Sequence, residues 1–311
     1  MNTAPSSPVR LGLAAGIGAY VIWGFLPFYF AAIDAASPWE IIAWRIVFTT
    51  IFCLALLAIT GTLRTGWRAA RPAWLSLTAA SLLIVINWLV YVYGVSTKHI
   101  LDTSLGYYIN PLVTVLLAVI VLRERIRPLQ WVALGIGATA VLVMTAGLGR
   151  FPWIAVVLAC SFGLYSLVKA KVGRHIDSIT SLAAETIIST PVAVTLLVLI
   201  GTTSGLSIAA HGPTHLGLIL ASGIVTGLPL ILFGTAARRL PLATVGILQY
   251  LAPTLQFIIG YLVFHEPMPT ARWVGFALVW VALTFFTIDA VRQARSSRLR
   301  QPRVTDTVDL A

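Results

Sequence analysis

Residues 104–131 read SLGYYINPLVTVLLAVIVLRERIRPLQW, and residues 246–273 read GILQYLAPTLQFIIGYLVFHEPMPTARW. Tyr108, Pro111, Glu124 and Trp131 of the first stretch recur as Tyr250, Pro253, Glu266 and Trp273 of the second, every one displaced by 142 positions. Weaker matches follow in the same order: Trp23-Gly24 with Phe162-Gly163, Glu40 with Glu185, and Gly94 with Gly234. The chain therefore reads as a duplication, with repeats over 11–147 and 152–290 and a basic tail over 291–311. What each repeat contains follows from the apolar runs around the two stretches.

A spanning helix needs about 20 mostly apolar residues. Ten such runs are predicted, at 11–31, 39–60, 73–96, 102–122, 129–146, 152–170, 180–201, 213–237, 241–264 and 270–290, five in each repeat. The first run is longer than the apolar stretch of a signal peptide and is followed by further spans, so it reads as a retained helix. Composition agrees: 59% of the 311 residues are hydrophobic and only 10% are charged, against about 25% charged in an ordinary soluble domain. Too few charges remain to clothe a water-soluble globule, which excludes a cytosolic enzyme, a disordered chain and a disulfide scaffold. Cys53 and Cys160 both lie in apolar runs and read as small buried hydrophobes.

Basic residues set the orientation. Alternate connecting segments and the ends hold 17 Lys and Arg, and the intervening segments hold three, Lys98, Arg150 and Arg272; Arg45 lies inside a span. Lys and Arg collect on the cytoplasmic side, so both termini are expected there, with an even number of spans. The net charge of +11 has the same origin and does not imply nucleic acid. The tail arginines can touch anionic lipid headgroups.

Five spans per repeat is an odd number, so the second repeat enters the membrane from the opposite side. Inverted repeats of this kind place a solute site near the midplane where the halves meet. The fold expected is an all-α membrane protein of ten helices in two inverted repeats.

The residues also resemble a known family. Trp23-Gly24-Phe25-Leu26-Pro27, Asn87-Trp88, Ser104-Leu105-Gly106-Tyr107-Tyr108-Ile109-Asn110-Pro111-Leu112, Glu124-Arg125, Gln130-Trp131, Gln249-Tyr250 and Pro253-Thr254 are similar to the RarD branch of the EamA family, in the drug/metabolite transporter superfamily. The resemblance covers residues 10–290 and implies a ten-helix permease of the bacterial inner membrane. Trp44 stands where relatives are expected to carry histidine, so no proton relay is read there.

Candidate site residues follow from polar groups inside spans, which are costly in hydrocarbon and normally face the bundle interior. Ser104, Tyr107, Tyr108 and Pro111 share one helical face, and Gly246, Gln249, Tyr250 and Pro253 share another. These faces are expected either to oppose each other across a central cavity, with Pro111 and Pro253 freeing backbone carbonyls, or to pack as aromatic contacts with structural kinks. Asn87, Tyr91 and Gly94 share a face that lines the path or holds a neighbouring helix. Asn110 is placed to bond carbonyls freed at Pro111, and Tyr165 is a further lining residue.

Arg45 lies roughly 9 Å inside the second span and cannot shed its charge. It must pair, with Asp102 the available partner, snorkel, or meet an anionic ligand. Glu185 is the most deeply placed acid; it either couples transport to protons or pairs with Lys169 or Lys171. Glu124 and Glu266 read as helix-end fixers.

Gly12-xxx-Gly16 and Gly223-xxx-Gly227 read as packing within the bundle. His211 and His215 read as an exposed loop rather than metal ligands.

The function expected is a secondary transporter of a small organic solute such as an amino acid, metabolite or drug. A channel or non-transporting partner is the alternative, and an intramembrane enzyme a weaker one. No phosphate-binding loop, nucleophile–base pair or metal spacing is present in the sequence. No cofactor is expected, and a monomer or homodimer is.

Overall fold

A computed structural model describes residues 7–123, 126–172, 176–240 and 242–300. The described residues contain helices and no strand. The order is α1 (Ser7–Ala31), α2 (Pro38–Ile59), α3 (Leu63–Ala70), α4 (Trp74–Ser96), α5 (Ile100–Leu122), α6 (Pro128–Leu148), α7 (Trp153–Val172), α8 (Ser178–Thr203), α9 (Gly212–Arg239), α10 (Leu242–Leu248), α11 (Leu251–Ile258) and α12 (Thr270–Arg300). Eight helices are long and apolar enough to cross a membrane. The shorter apolar helices Trp153–Lys169 and Leu251–Val263 complete ten crossings.

Helix starts follow local chemistry. Pro38 opens α2, and the Ser37 hydroxyl takes the Glu40 amide at 3.2 Å. Pro128 opens α6, where Gln130 takes the Arg127 amide at 3.1 Å, and left-handed Gly149 (φ 64°) closes it. Asp177 caps α8 by accepting from the amides of Ile179 and Thr180, each at 3.0 Å. Partial burial raises the Asp177 carboxyl, but its hydrogen bonds outweigh this and hold it below its ordinary range.

Packing exchanges under the duplication. Helix α1 lies antiparallel on α9, with Gly12 against Leu240 and Gly16 against Ala236. Its repeat counterpart, α7, lies antiparallel on α4, with Ile154 beside Gly94 and Leu158 beside Asn87. Likewise Gly106 of α5 sits on Ala155 of α7, and Leu255 of α11 sits on Gly24 of α1. Three pairs meet their own counterparts. Thr50 of α2 bonds Thr190 of α8 at 3.1 Å, Tyr108 of α5 bonds Thr254 of α11 at 2.8 Å, and Gly275 of α12 packs on Met144 of α6.

Both small-residue motifs serve these contacts, since Gly223 and Gly227 seat Phe48 and Phe52 of α2. Large apolar side chains such as Ile120, Leu142, Leu220 and Val281 remain exposed, as a lipid-facing surface requires. We call the end of the bundle where α1 begins and α12 finishes the terminal end, and the opposite end the far end.

Three features differ from the sequence reading. The stretch read as a connection at 61–72 contains α3, whose exposed Trp67 and flanking Arg64 and Arg68 match a helix lying at a membrane interface. The ninth span is not continuous. It breaks at Gln249-Tyr250 between α10 and α11 and ends in a π-helical turn over Ile259–Val263. Pro253 lies in the first turn of α11, where a missing amide leaves no helical bond unmade, so the break precedes it. Pro111, by contrast, lies within an uninterrupted α5.

Candidate functional site

Arg45 is the eighth residue of α2 and is only 4% exposed. Its Nε–H donates to Thr226 Oγ1 of α9 at 2.9 Å. Its guanidinium lies 4.2 Å from the Trp88 ring centre and 5.3 Å from that of Phe30. Among the described residues no carboxylate pairs with it. Arg45 Nη1, Thr49 Oγ1, Tyr91 OH and Ser222 Oγ are all buried without a hydrogen-bond partner. Thr49 stands one turn from Arg45 on α2, and Ser222 one turn from Thr226 on α9.

Asn87 joins the same region. Its amide donates to Leu158 O and Ser161 Oγ, both at 3.1 Å, and its oxygen accepts the Tyr107 hydroxyl at 3.1 Å. The Tyr107 ring lies 5.7 Å from that of Tyr91, which lies 6.0 Å from Phe30. Four candidates from the sequence, Arg45, Asn87, Tyr91 and Tyr107, thus converge, drawn from α2, α4 and α5 of the first repeat and completed by α9 of the second.

The other candidates fall elsewhere. Tyr108 does not face a cavity. It bonds Thr254, is 4% exposed, and packs edge-on against Phe276 and Trp280. Tyr250 packs on the same apolar cluster beside Gln249 at the α10–α11 break. The faces of the fourth and ninth spans do meet, but in direct contact, with Ser104 donating to Pro253 O at 2.8 Å. Asn110 accepts from Thr114 at 3.5 Å.

Tyr165 and Glu185 form a separate group nearer the terminal end. Glu185 accepts from Lys169 at 2.7 Å, Ser181 at 2.8 Å and Tyr165 at 3.1 Å. The Lys171 side chain lies outside the described residues, as does Glu124.

Asp102 is not the partner of Arg45. It pairs with Arg272 at 3.1 Å, both buried, and with the half-exposed Arg150 at 3.4 Å. Glu266 accepts the amides of Ile100 and Leu101 at the start of α5, so it fixes a helix end, though one in the other repeat. His215 is buried, not exposed, and meets Ser207 at 3.0 Å; Ser207 in turn donates to Glu40 at 2.9 Å. Serine sits between the acid and the imidazole, so the acid does not orient the histidine as a catalytic relay requires. Among the described residues no group of three or more His, Cys, Asp or Glu could hold a metal.

Trp88, Phe30, Thr49, Ser222 and Thr226 were not singled out from the sequence as lining residues. The one-turn spacing of Thr49 from Arg45 and of Ser222 from Thr226 was a readable signal.

Comparison with known proteins identifies the family. The model of the "EamA-like transporter family" matches twice, at residues 10–146 and 152–288. A "Protein RarD" of Streptomyces exfoliatus is 45% identical over 304 residues, covering 96% of this chain and 95% of that protein. An "Uncharacterized transporter" of Pseudomonas aeruginosa is 39% identical, covering 94% and 98%. A solved crystal structure aligns at TM-score 0.59 and 19% identity over 93% of this chain and 99% of that one, a likeness that speaks to the fold alone. This multi-pass membrane protein belongs to the EamA-like transporter family, among its RarD-type members.

Proposed function

We propose that the protein is a secondary transporter that moves a small organic solute between its two repeats by alternating access. It resides in the bacterial inner membrane with both termini cytoplasmic. The observation that carries this reading is Arg45, a buried cation with no described acidic partner, at the seam where α2 of one repeat bonds α9 of the other. A structural ion pair would have supplied its own carboxylate.

The cross-repeat bonds support a state closed at the far end. Tyr29 donates to Leu218 O at 2.6 Å, Ser207 to Glu40 at 2.9 Å and Ser104 to Pro253 O at 2.8 Å, while Glu266 holds α5. Toward the terminal end a narrow cleft lies between α2, α8 and α9, walled by Phe52, Cys53, Leu182, Gly227 and Leu230. In this reading, rocking one repeat against the other breaks the far-end bonds and closes the cleft. Glu185, buried in α8 and paired with Lys169 at 2.7 Å, is the residue we assign to coupling.

Counterflow in proteoliposomes tests the function. Saturable exchange that Arg45→Ala abolishes is expected, with Glu185→Gln removing any dependence on an imposed pH gradient. Flux that rises linearly with solute concentration would favour a channel instead.

A further inference from the structure

We infer that the buried polar cluster around Arg45, once the repeats part, binds an organic carboxylate monoanion that carries an apolar or aromatic body and no ammonium group. The inference deepens the transport reading and rests on it for its biological meaning.

The charge balance comes first. A guanidinium does not shed its proton inside a protein, so Arg45 contributes one full positive charge wherever it sits. It is 4% exposed, and its Nε is matched to a neutral hydroxyl on Thr226. A cation held in a low-dielectric interior calls for one negative charge to offset the loss of water. The buried acids of the described residues make other contacts, and none is bonded to Arg45. Glu40 accepts from the neutral groups of Ser207 and Trp44 at the far end, Asp102 pairs with Arg272, and Glu185 pairs with Lys169.

One missing negative charge matches a carboxylate. A phosphate monoester would bring close to two and leave one uncompensated. A zwitterion would add an ammonium group for which the cluster supplies no acid.

The unpartnered atoms agree in chemistry. Arg45 Nη1 is a donor, and the hydroxyls of Tyr91, Ser222 and Thr49 can each donate. Donors on three helices suit the several lone pairs of a carboxylate. The Trp88 and Phe30 rings flank the guanidinium and continue into Tyr107, which gives an apolar organic body a surface to lie against.

Thermal-shift titration and calorimetry on the purified, detergent-solubilised protein test this without a gradient. The probes are benzoate against benzamide, and phenylpyruvate against phenylalanine. Carboxylates without ammonium are expected to raise the melting temperature, and the amide and the zwitterion to bind roughly ten- to hundredfold more weakly, the range of a lost charged hydrogen bond.

Arg45→Met should abolish carboxylate binding while the ligand-free protein melts at least as high as wild type, because an uncompensated charge is gone. Arg45→Lys should recover part of the binding, keeping the charge but not the fork. Equal binding of neutral and anionic probes, binding of none of them, or unchanged carboxylate affinity in Arg45→Met would overturn the inference. Carboxylate binding without counterflow would instead count against transport and leave the site standing. Counterflow of solutes with no preference for carboxylates would do the reverse.

Discussion

Arg45 on α2 and Thr226 on α9 meet at 2.9 Å through the guanidinium Nε–H, and this bond joins the first repeat to the second inside the bundle. Around it Arg45 Nη1 and the hydroxyls of Thr49, Tyr91 and Ser222 lack partners, whereas hydrogen bonds between the repeats join the α5–α11 seam and the far end. In the proposed function that contrast separates residues placed for a solute from residues placed for assembly.

Adjacent tyrosines on α5 test the separation. Tyr107 donates to Asn87 beside Arg45, and Tyr108 bonds Thr254 in an apolar cluster. Tyr107→Phe leaves the Asn87 oxygen, in a residue only 1% exposed, without that donor. It should lower transport several-fold. Tyr108→Phe should leave transport near wild type and cost about 0.5–1.5 kcal/mol of stability, the worth of one hydrogen bond. Solute flux and melting curves for both variants check the contrast.

Asp102 anchors two arginines of very different exposure. Arg272 is buried with it, and removing the acid strands that charge, so Asp102→Ala should cost about 3–5 kcal/mol and show as lost folded yield. The Arg150 side chain is 47% exposed, and Arg150→Ala should cost no more than about 1 kcal/mol. Yields by size-exclusion chromatography and melting temperatures measure the difference.

Glu266, in the connection between α11 and α12, gives a pH signature. Burial pushes its carboxyl up to about 7, against an ordinary value near 4.5, despite the amides of Leu101 and Ile100 and the charge of Arg272. Between those two values the folded protein binds more protons at this site than the unfolded chain. Stability from this group is therefore present below about 4.5 and lost as pH rises through about 7. Melting temperatures from pH 5 to 8 should fall more steeply for wild type than for Glu266→Gln.

Two glycines of α9 contrast close packing with open space. A methyl group at Gly223 would run into the Phe48 backbone carbonyl, which cannot swing aside, whereas nothing lies within 4 Å of one at Gly217. Gly223→Ala should cost about 1–3 kcal/mol through overpacking. Gly217→Ala should be neutral or stabilising by up to about 1 kcal/mol. Thermal denaturation of the two variants reads this directly.

The duplication, the ten crossings and the candidacy of Arg45, Asn87, Tyr91 and Tyr107 one by one were legible because apolar run length, helical periodicity and the shared 142-residue displacement are local signals, whereas their meeting at one place was not. Other features were not. A helix face shows which residues lie together but not what lies opposite, so the sequence left cavity wall and aromatic packing open for Tyr108 and Tyr250, and the structure shows packing. The pairing of Asp102 with Arg272 spans 170 positions and depends on how the repeats dock. The break at Gln249-Tyr250 was masked by apolar residues on both sides and by a proline that drew attention to the wrong turn. His215 read as exposed because Gly212-Pro213 signals a loop, whereas that pair opens α9 and carries the histidine inward.

The central claim is that the Arg45–Thr226 seam opens alternately to the two sides of the membrane. Thr226→Cys, in a background with Cys53 and Cys160 replaced by alanine, would be treated with a membrane-impermeant thiol reagent from either face of oriented vesicles. Labelling from each face is expected, with a transported solute slowing both reactions together. Labelling from one face only, whatever the solute, would contradict the account.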